Sequence, residues 1–250
     1  MNETQLVVPC YNEAHRLPRE AFLDALAQDP ILSYLFVDDG STDDTARVLE
    51  ELRAQSPERI DIVTLEKNSG KAEAVRRGMC HALEAADPAR FVGYWDADLA
   101  TPLDEVRRFR GLLQQDTARW IAFGARVKLL GRSIERNPLR HYLGRVFATA
   151  ASTALKLAIY DTQCGAKLFR SHPALPELFG EPFISNWIFD VEVLARLRSI
   201  DSKTRGGALE EIIVEVPLRT WHDVAGSKVR ARDFPAAFFE LLAIHQRYLR

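Results

Sequence analysis

The chain has 250 residues, 47% of them hydrophobic and 27% charged, a composition typical of globular proteins that argues against pervasive disorder. Its 33 basic and 35 acidic side chains give a formal net charge of −2. This balance argues against a general polyanion binder, and we expect no nucleic acid partner. The three cysteines are scattered without a CxxC pair, so the sequence indicates neither a zinc site nor a disulfide framework.

Short apolar runs alternate with helical patterns over the first half of the chain. They predict strands at 6–8, 34–37, 60–65, 91–95 and 121–124, and helices at 18–27, 41–53, 71–86 and 101–113. Residues 41–44 fit a capping box, and Thr101-Pro102 fits the first turn of the fourth helix. This alternation is typical of an α/β fold with a mostly parallel, doubly wound sheet and helices on both faces.

The second half is less regular. It predicts a helix at 146–159, a strand at 166–169, a helix at 187–197, a strand at 212–216 and an amphipathic helix at 234–249. We find no linker or repeat, so we expect one domain over residues 1–250. The longest uncharged stretch, 146–155, is far shorter than the ~20 residues of a transmembrane helix. No secretory signal opens the chain.

Polar clusters follow three of the predicted strands. Because the ligand of a doubly wound sheet lies beyond the carboxyl ends of its strands, we expect these clusters to meet in one crevice. The clusters are Tyr11-Asn12-Glu13, Asp38-Asp39 and Asp96-Ala97-Asp98.

Each cluster has a chemical and a purely structural interpretation. Asp96 and Asp98 can both reach a divalent cation that bridges to a diphosphate, or they can be solvated loop acids. Asp38 and Asp39 can accept hydrogen bonds from a nucleoside, or they can cap a helix. The chain has no GxGxxG motif, no complete P-loop and no GxSxG motif, which disfavours dinucleotide-binding, P-loop and nucleophile-elbow sites.

The early motifs together resemble inverting family 2 glycosyltransferases with the glycosyltransferase-A fold. Three later motifs resemble the dolichyl-phosphate β-glucosyltransferase branch, to which polyprenol-phosphate mannose synthases are related. The early motifs are VVPCYNE, FVDDGSTDDT, KNSGKAEAVRRGM and WDADLATP, and the later ones are DTQCGAKLFR, NWIFDVEVL and WHDVAGSKV.

The resemblance implies that residues 1–125 bind a nucleotide sugar, linked to UDP or GDP. Asp96 would serve both the donor and the metal, and Asp98 would hold the metal, Mg²⁺ or Mn²⁺, and act in catalysis. Ala100 stands where mannose synthases can supply a further metal ligand. The other implied donor-binding residues are Pro9, Tyr11, Asn12, Glu13, Val37, Asp39 and Lys71.

The resemblance also implies that residues 126–250 bind the acceptor, a polyprenyl or dolichyl phosphate that receives a hexose, expected to be glucose. Arg126 would act in catalysis and, with other cations of the 126–145 segment, hold the acceptor phosphate. A loop with Ser227 and Lys228 would close over the phosphates. The cations that would accompany Arg126 are Arg136 and Arg140.

The acceptor's chemistry separates two hypotheses. A sugar hydroxyl must lose its proton and needs a carboxylate base, a role open to Asp190. A phosphate monoester, with its second pKa near ~6, is already ionised and needs cations instead; Asp190 would then orient an active-site loop. A sugar-1-phosphate nucleotidyltransferase and a non-catalytic nucleotide-sugar sensor are alternatives of other classes.

A lipid-linked acceptor requires contact with a bilayer surface. The cationic segment, the apolar helix after it and Phe238-Phe239-x-Leu241-Leu242 can lie at the interface. The alternatives are a solvated face for the cationic segment and core packing for the aromatic and leucine residues. The protein is therefore predicted to be cytoplasmic and peripheral, at the inner face of a membrane.

Overall fold

The computed structural model describes residues 3–135, 138–204, 209–222 and 234–250. The strands are β1 Thr4–Cys10, β2 Leu32–Asp38, β3 Ile60–Thr64, β4 Phe91–Trp95, β5 Ile121–Ala125, β6 Ser133–Glu135, β7 Ala166–Arg170, β8 Ile213–Pro217 and β9 Thr220–His222. The helices are α1 Arg19–Gln28, α2 Thr45–Gln55, α3 Lys71–Glu84, α4 Asp104–Gln115, α5 Pro138–Leu155, α6 Leu175–Gly180, α7 Phe189–Thr204, α8 Leu209–Ile212 and α9 Phe234–Tyr248.

Seven strands form the central sheet, in the order β3-β2-β1-β4-β7-β5-β8. Every neighbouring pair is parallel except the two that involve β7, which runs antiparallel to both β4 and β5. β6 and β9 pair in parallel with each other and form a separate two-stranded sheet. The predicted mostly parallel sheet is confirmed, whereas the antiparallel strand β7 inside it was not predicted.

Both faces of the sheet are covered, which explains why its inner strands β2, β4 and β5 are buried along their whole length rather than on alternate residues. All residues of β2, β4 and β5 are buried. One core packs α1, α2 and α4 on the face that carries Leu6 and Phe36. The other packs α3, α5, α6, α7 and α9 on the face that carries Val7 and Val37. The predicted placement of helices on both faces is therefore confirmed.

Two predicted helix starts are wrong. α2 begins at Thr45, whose N–H bonds to the carboxylate of Asp43, while the Ser41 hydroxyl accepts from the backbone N–H of Asn12. α4 begins at Asp104, and Thr101 instead lies buried beside the thiol of Cys164.

The apolar helix predicted at 146–159 is displaced. α5 begins at Pro138, a residue suited to a first helical turn, and ends at Leu155. Lys156 then takes a left-handed φ of 48°, which stops the helix although residues 157–159 are apolar enough to extend it. Among the described residues, no helix is long and apolar enough to cross a membrane.

Candidate active site

The predicted clusters meet at one edge of the sheet. The carboxyl ends of β1, β2 and β4 lie there because these strands are parallel. The antiparallel direction of β7 brings its preceding loop, residues 160–165, to the same edge. The site therefore includes a loop that precedes an antiparallel strand, in addition to the loops that follow parallel strands.

Asp96, directly after β4, is the best-defined carboxylate of the site. Its backbone N–H donates to the carbonyl of Gly165 over 3.0 Å, and its Oδ1 lies 2.5 Å from the Nζ atom of Lys71. A Cβ atom on residue 165 would overlap the Asp96 carboxylate. Glycine at 165 therefore allows the carboxylate to pack directly on the loop backbone.

Asp98 lies beside Asp96 without an ion pair to any described residue. Its Oδ1 accepts a hydrogen bond from the backbone N–H of Ala100 over 3.1 Å. Leu99, between Asp98 and Ala100, has a left-handed φ of 49°. Burial, and next the charge of Asp96, raise the pKa of the Asp98 carboxyl. A cation at this position would relieve both effects.

Two carboxylates suit a divalent cation that takes its remaining ligands from a diphosphate and water, as Mg²⁺ commonly does. Within the described ranges, no group of three or more His, Cys, Asp or Glu side chains is arranged to hold a metal by itself. Asp96 and Asp98 thus fit a metal that arrives with its nucleotide better than a permanently caged ion.

Lys71 opens α3 and faces the carboxylates. Burial by itself would lower the pKa of this ammonium, but the charges of Asp96, Asp190 and Asp98 outweigh it and raise the pKa. Lys71 therefore stays charged near neutral pH, next to the predicted diphosphate position.

Asp39, the predicted nucleoside ligand, is 2% exposed. Its two oxygens accept from the backbone N–H groups of Ser69 and Gly70, over 2.7 and 2.8 Å. Burial raises the pKa of Asp39 although both backbone bonds act to lower it. Its carboxylate thus already fixes the loop before α3, and a nucleoside would share it through the remaining lone pairs.

The other predicted donor-binding residues, at the ends of β1 and β2, also lie at this edge, but not all of their side chains are free to contact a ligand. Asn12 has a left-handed φ of 53°, and its Oδ1 accepts from the N–H of Thr42 over 2.9 Å. Val37 is fully buried in the core, so only its backbone is available to a ligand. Pro9 and Tyr11 are partly exposed.

Glu13 is a buried carboxylate at the same edge, 8% exposed. Its Oε1 pairs with Arg16 at 2.5 Å, and its backbone N–H donates to the hydroxyl of Thr45. The other oxygen, Oε2, is buried without a hydrogen-bond partner among the described residues. Glu13 therefore has unused acceptor capacity, as its predicted donor-binding role requires.

Arg126 follows β5 and is held by Asp161. Its Nε and Nη2 atoms donate to the two carboxylate oxygens over 2.7 and 2.8 Å, and its backbone N–H adds a third bond. Burial would lower the pKa of the guanidinium, but the charge of Asp161 raises it instead. The guanidinium also lies over the Trp221 ring, 5.4 Å from its centroid.

The loop that carries Asp161 is itself fixed by Glu215 of β8. The backbone N–H groups of Tyr160 and Asp161 donate to its two carboxylate oxygens over 2.8 and 2.7 Å. Arg145 donates to the carbonyl of Tyr160 over 2.8 Å. Sequence reasoning assigned no role to Asp161 or Glu215, although Asp161 opens one of the later motifs, DTQCGAKLFR.

Asp190, in the first turn of α7, is 4% exposed. Its Oδ1 accepts from the Tyr94 hydroxyl over 2.6 Å and lies 2.7 Å from the Nζ atom of Lys167. Tyr94 and Lys167 therefore hold this oxygen of the carboxylate in place.

Several predicted acceptor residues cannot be placed. Arg136, Ser227 and Lys228 lie outside the described residues, and Arg140 is described only as part of α5. Their roles stay predictions.

An apolar surface is formed where α5 packs against α9, with the Phe147 and Phe238 rings 5.9 Å apart. Leu241, one of the predicted interfacial residues, is 6% exposed and belongs to the core, so that assignment is wrong. The exposed residues of this surface are Tyr142, Val146, Phe238, Phe239 and Leu242.

The fold and this site are those of a glycosyltransferase. The family model for glycosyl transferase family 2 matches residues 5–174, more than half of the chain, and the chain belongs to that family. The predicted family and the glycosyltransferase-A fold are confirmed.

Among similar proteins, a dolichyl-phosphate beta-glucosyltransferase of Trichomonas vaginalis is 31% identical over 96% of this chain and 70% of its own length. The human dolichyl-phosphate beta-glucosyltransferase is 33% identical over 99% and 76%. Glucosyl-3-phosphoglycerate synthase of Mycobacterium tuberculosis, solved with uridine diphosphate, is similar in fold. Its TM-score is 0.65 at 19% identity, over 98% of this chain and 80% of that one.

Proposed function

We propose that this protein transfers glucose from a nucleotide sugar to a polyprenyl or dolichyl phosphate, with inversion at the anomeric carbon and the assistance of Mg²⁺ or Mn²⁺. The names of the relatives support the acceptor and the sugar. Membership of glycosyl transferase family 2 disfavours the nucleotidyltransferase alternative.

On the donor side, the ends of β1 and β2 supply groups for the nucleoside, including Asp39 and the unused oxygen of Glu13. Asp96 and Asp98 would hold the cation, which neutralises charge on the leaving diphosphate when it is bound. The M. tuberculosis synthase was also solved with Mn²⁺ and UDP-glucose, which supports the same pairing of metal and donor here. Lys71 is positioned to take up diphosphate charge.

The observation that carries the choice of acceptor is the guanidinium of Arg126, which Asp161 holds at this edge of the sheet. The hydroxyl-acceptor hypothesis requires Asp190 as a base, whereas Tyr94 and Lys167 hold its Oδ1 in place, as expected of a positioning residue, and leave only Oδ2 to take a proton. An ionised phosphate oxygen needs no base and can attack the anomeric carbon directly, from the face opposite the diphosphate.

Arg126 is suited to hold that phosphate. Asp161 engages its Nε and Nη2 atoms and so fixes the plane of the guanidinium. No described residue is bonded to Nη1, which is left to donate to an acceptor oxygen. A guanidinium fixed in this way orients an oxyanion better than a flexible ammonium.

A lipid-linked acceptor places the reaction at a bilayer, and the apolar surface of α5 and α9 supports contact with it. Phe239 is 75% exposed and Tyr142 is 70% exposed, which is unusual for large apolar side chains away from an interface. We propose a peripheral protein at the cytoplasmic, inner face of a membrane.

The test uses radiolabelled UDP-glucose and GDP-glucose with Mg²⁺ and vesicles that contain dolichyl or undecaprenyl phosphate. Lipid-extractable and water-soluble products are counted separately. Arg126→Lys should lower lipid transfer about 10²-fold, equivalent to ~2.7 kcal/mol, while slow hydrolysis of the donor largely survives.

Asp161→Asn is the matched control, because it weakens the clamp on Arg126 but keeps the guanidinium; its loss of transfer should be smaller. Product on soluble sugars alone, unaffected by Arg126→Lys but lost in Asp190→Asn, would overturn the proposal. Nucleotide-sugar binding with neither transfer nor hydrolysis would favour the sensor alternative.

A further inference from the structure

We propose that Lys167 is a positioning residue that sets the 160–165 loop, and through it both Asp96 and Arg126, for glycosyl transfer. The inference rests on the proposed function, in which Asp96 faces the diphosphate and Arg126 faces the acceptor phosphate. Lys167 lies on β7 between Tyr94 of β4 and Phe123 of β5, and its side chain is 0% exposed.

The ammonium of Lys167 uses its donors on three separate acceptors. Its Nζ atom lies 2.7 Å from Asp190 Oδ1 and donates to the backbone carbonyls of Thr162 and Cys164 over 3.2 and 2.6 Å. Thr162 and Cys164 are themselves buried. Without Lys167, these carbonyls would lose the donor that the structure gives them.

The loop held by Lys167 reaches both halves of the site. At one end, Asp161 clamps the guanidinium of Arg126. At the other, the carbonyl of Gly165 accepts the backbone N–H of Asp96, and the Asp96 carboxylate packs on the Gly165 backbone. A shift of this loop therefore displaces a donor-side and an acceptor-side group together.

Stability alone does not explain a buried ammonium here. Moving a charge out of water is costly even when it is paired, and a buried ion pair can often be replaced by apolar residues of similar volume without loss of stability. Methionine would fill the same space between Tyr94 and Phe123. What methionine cannot do is donate to two carbonyls of the loop.

The experiment compares the full-length wild type with Lys167→Met, the double variant Lys167→Met/Asp190→Asn, and Arg196→Met. Arg196 is the matched control. It is also a buried cation, paired with Glu192 and bonded to the carbonyls of Leu178, Glu181 and Pro182, none of which belongs to the 160–165 loop.

Hydrogen exchange of the backbone amides is the first measurement, because it needs no substrate. Lys167→Met should speed exchange about 10-fold or more in peptides that cover residues 161–165 and Asp96, whose N–H bonds to Gly165. Arg196→Met should instead speed exchange around residues 178–182. Unchanged protection of 161–165 and Asp96 in Lys167→Met would overturn the proposal.

Calorimetry with UDP and Mn²⁺, and with GDP and Mn²⁺, is the second measurement. Lys167→Met should weaken binding of whichever nucleotide the wild type prefers by about 10- to 100-fold, the range typical when the support of a metal-binding group is removed. Arg196→Met should lower Tm without weakening nucleotide binding.

The double variant separates positioning from simple ion-pair loss. Removing both charges eliminates the unpaired Asp190 carboxylate, so Tm should recover toward the wild-type value. Nucleotide affinity should stay low and the loop amides should stay unprotected, because the carbonyls still lack their donor. Recovery of affinity and protection along with Tm would assign Lys167 a structural role only and refute the proposal.

Discussion

Gly165→Ala should impair catalysis far more than folding. A Cβ atom on this residue would lie closer to the Asp96 carboxylate than the 3.0 Å below which such contacts are essentially never observed. The nearest carboxylate oxygen has to retreat by about 1 Å to reach that limit. A misplacement of about 1 Å at a reacting centre can lower the rate about 10²-fold, or ~2.7 kcal/mol in transition-state stabilisation.

The cost to stability should be smaller, because the Asp96 side chain is 34% exposed and can turn toward solvent. We expect a loss of about 1 kcal/mol, at the low end for overpacked sites. The assay is kcat/KM for glucosyl transfer over a series of Mn²⁺ concentrations, with Tm measured alongside. The metal requirement should rise together with the loss of rate.

Gly111→Ala is the matched control, since a Cβ atom there meets no atom within 4 Å. It lies inside α4, where alanine is favoured over glycine by about 0.5–1 kcal/mol, so Tm should rise and activity should not change. Wild-type activity and Mn²⁺ dependence in Gly165→Ala would refute the assigned position of Asp96 against the loop.

Excess EDTA should abolish glucosyl transfer and added Mn²⁺ should restore it; transfer that survives EDTA would contradict a metal at Asp96 and Asp98. Asp98→Asn should raise Tm at pH 7 in the absence of metal and nucleotide, because burial and the charge of Asp96 raise the pKa of Asp98 above its usual value. When the pKa of a carboxyl is raised in the folded state, its contribution to stability is complete below the unfolded-state pKa and is lost as the pH rises through the folded-state pKa. The higher Tm of Asp98→Asn should therefore vanish on acidification, and a difference in Tm that does not depend on pH would contradict this prediction. Asp39→Ala should weaken the binding of UDP or GDP about 10-fold in calorimetry. Unchanged affinity would contradict the assignment of Asp39 to the nucleoside site. Phe239→Ser should reduce co-sedimentation with anionic vesicles at constant Tm, whereas buried Leu241→Ser should lower Tm; equal vesicle binding by Phe239→Ser and wild type would argue against the apolar surface as the membrane contact.

The parts of the site that follow local rules could be predicted from the sequence. Strand and helix periods placed the polar clusters at strand ends, and the parallel arrangement of β1, β2 and β4 brought them together. Asp96 and Asp98 lie where those rules put them, and Lys71, which the family resemblance added, lies beside Asp96.

The loop before β7 could not be found in this way. A five-residue strand carries no signal for its direction in the sheet, so the antiparallel position of β7 between β4 and β5 could not be detected locally. The backbone N–H groups of residues 160 and 161 donate to Glu215, which lies more than fifty residues further along the chain. Lys167, read as one polar residue in a short strand, gave no indication of a fully buried ammonium.

The charges at the site support the proposed divalent cation. Three carboxylates each have a cationic partner, since Asp96 pairs with Lys71, Asp161 with Arg126 and Asp190 with Lys167. Asp98 has no such pair among the described residues, and its raised pKa reflects an unrelieved charge. A nucleotide diphosphate brings further negative charge to this edge, which Lys71 alone can offset only by leaving Asp96. If Asp96 and Asp98 held a divalent cation, as we propose, both problems would be resolved, because the carboxylates would be neutralised and the Lys71 ammonium would be free to face the leaving group.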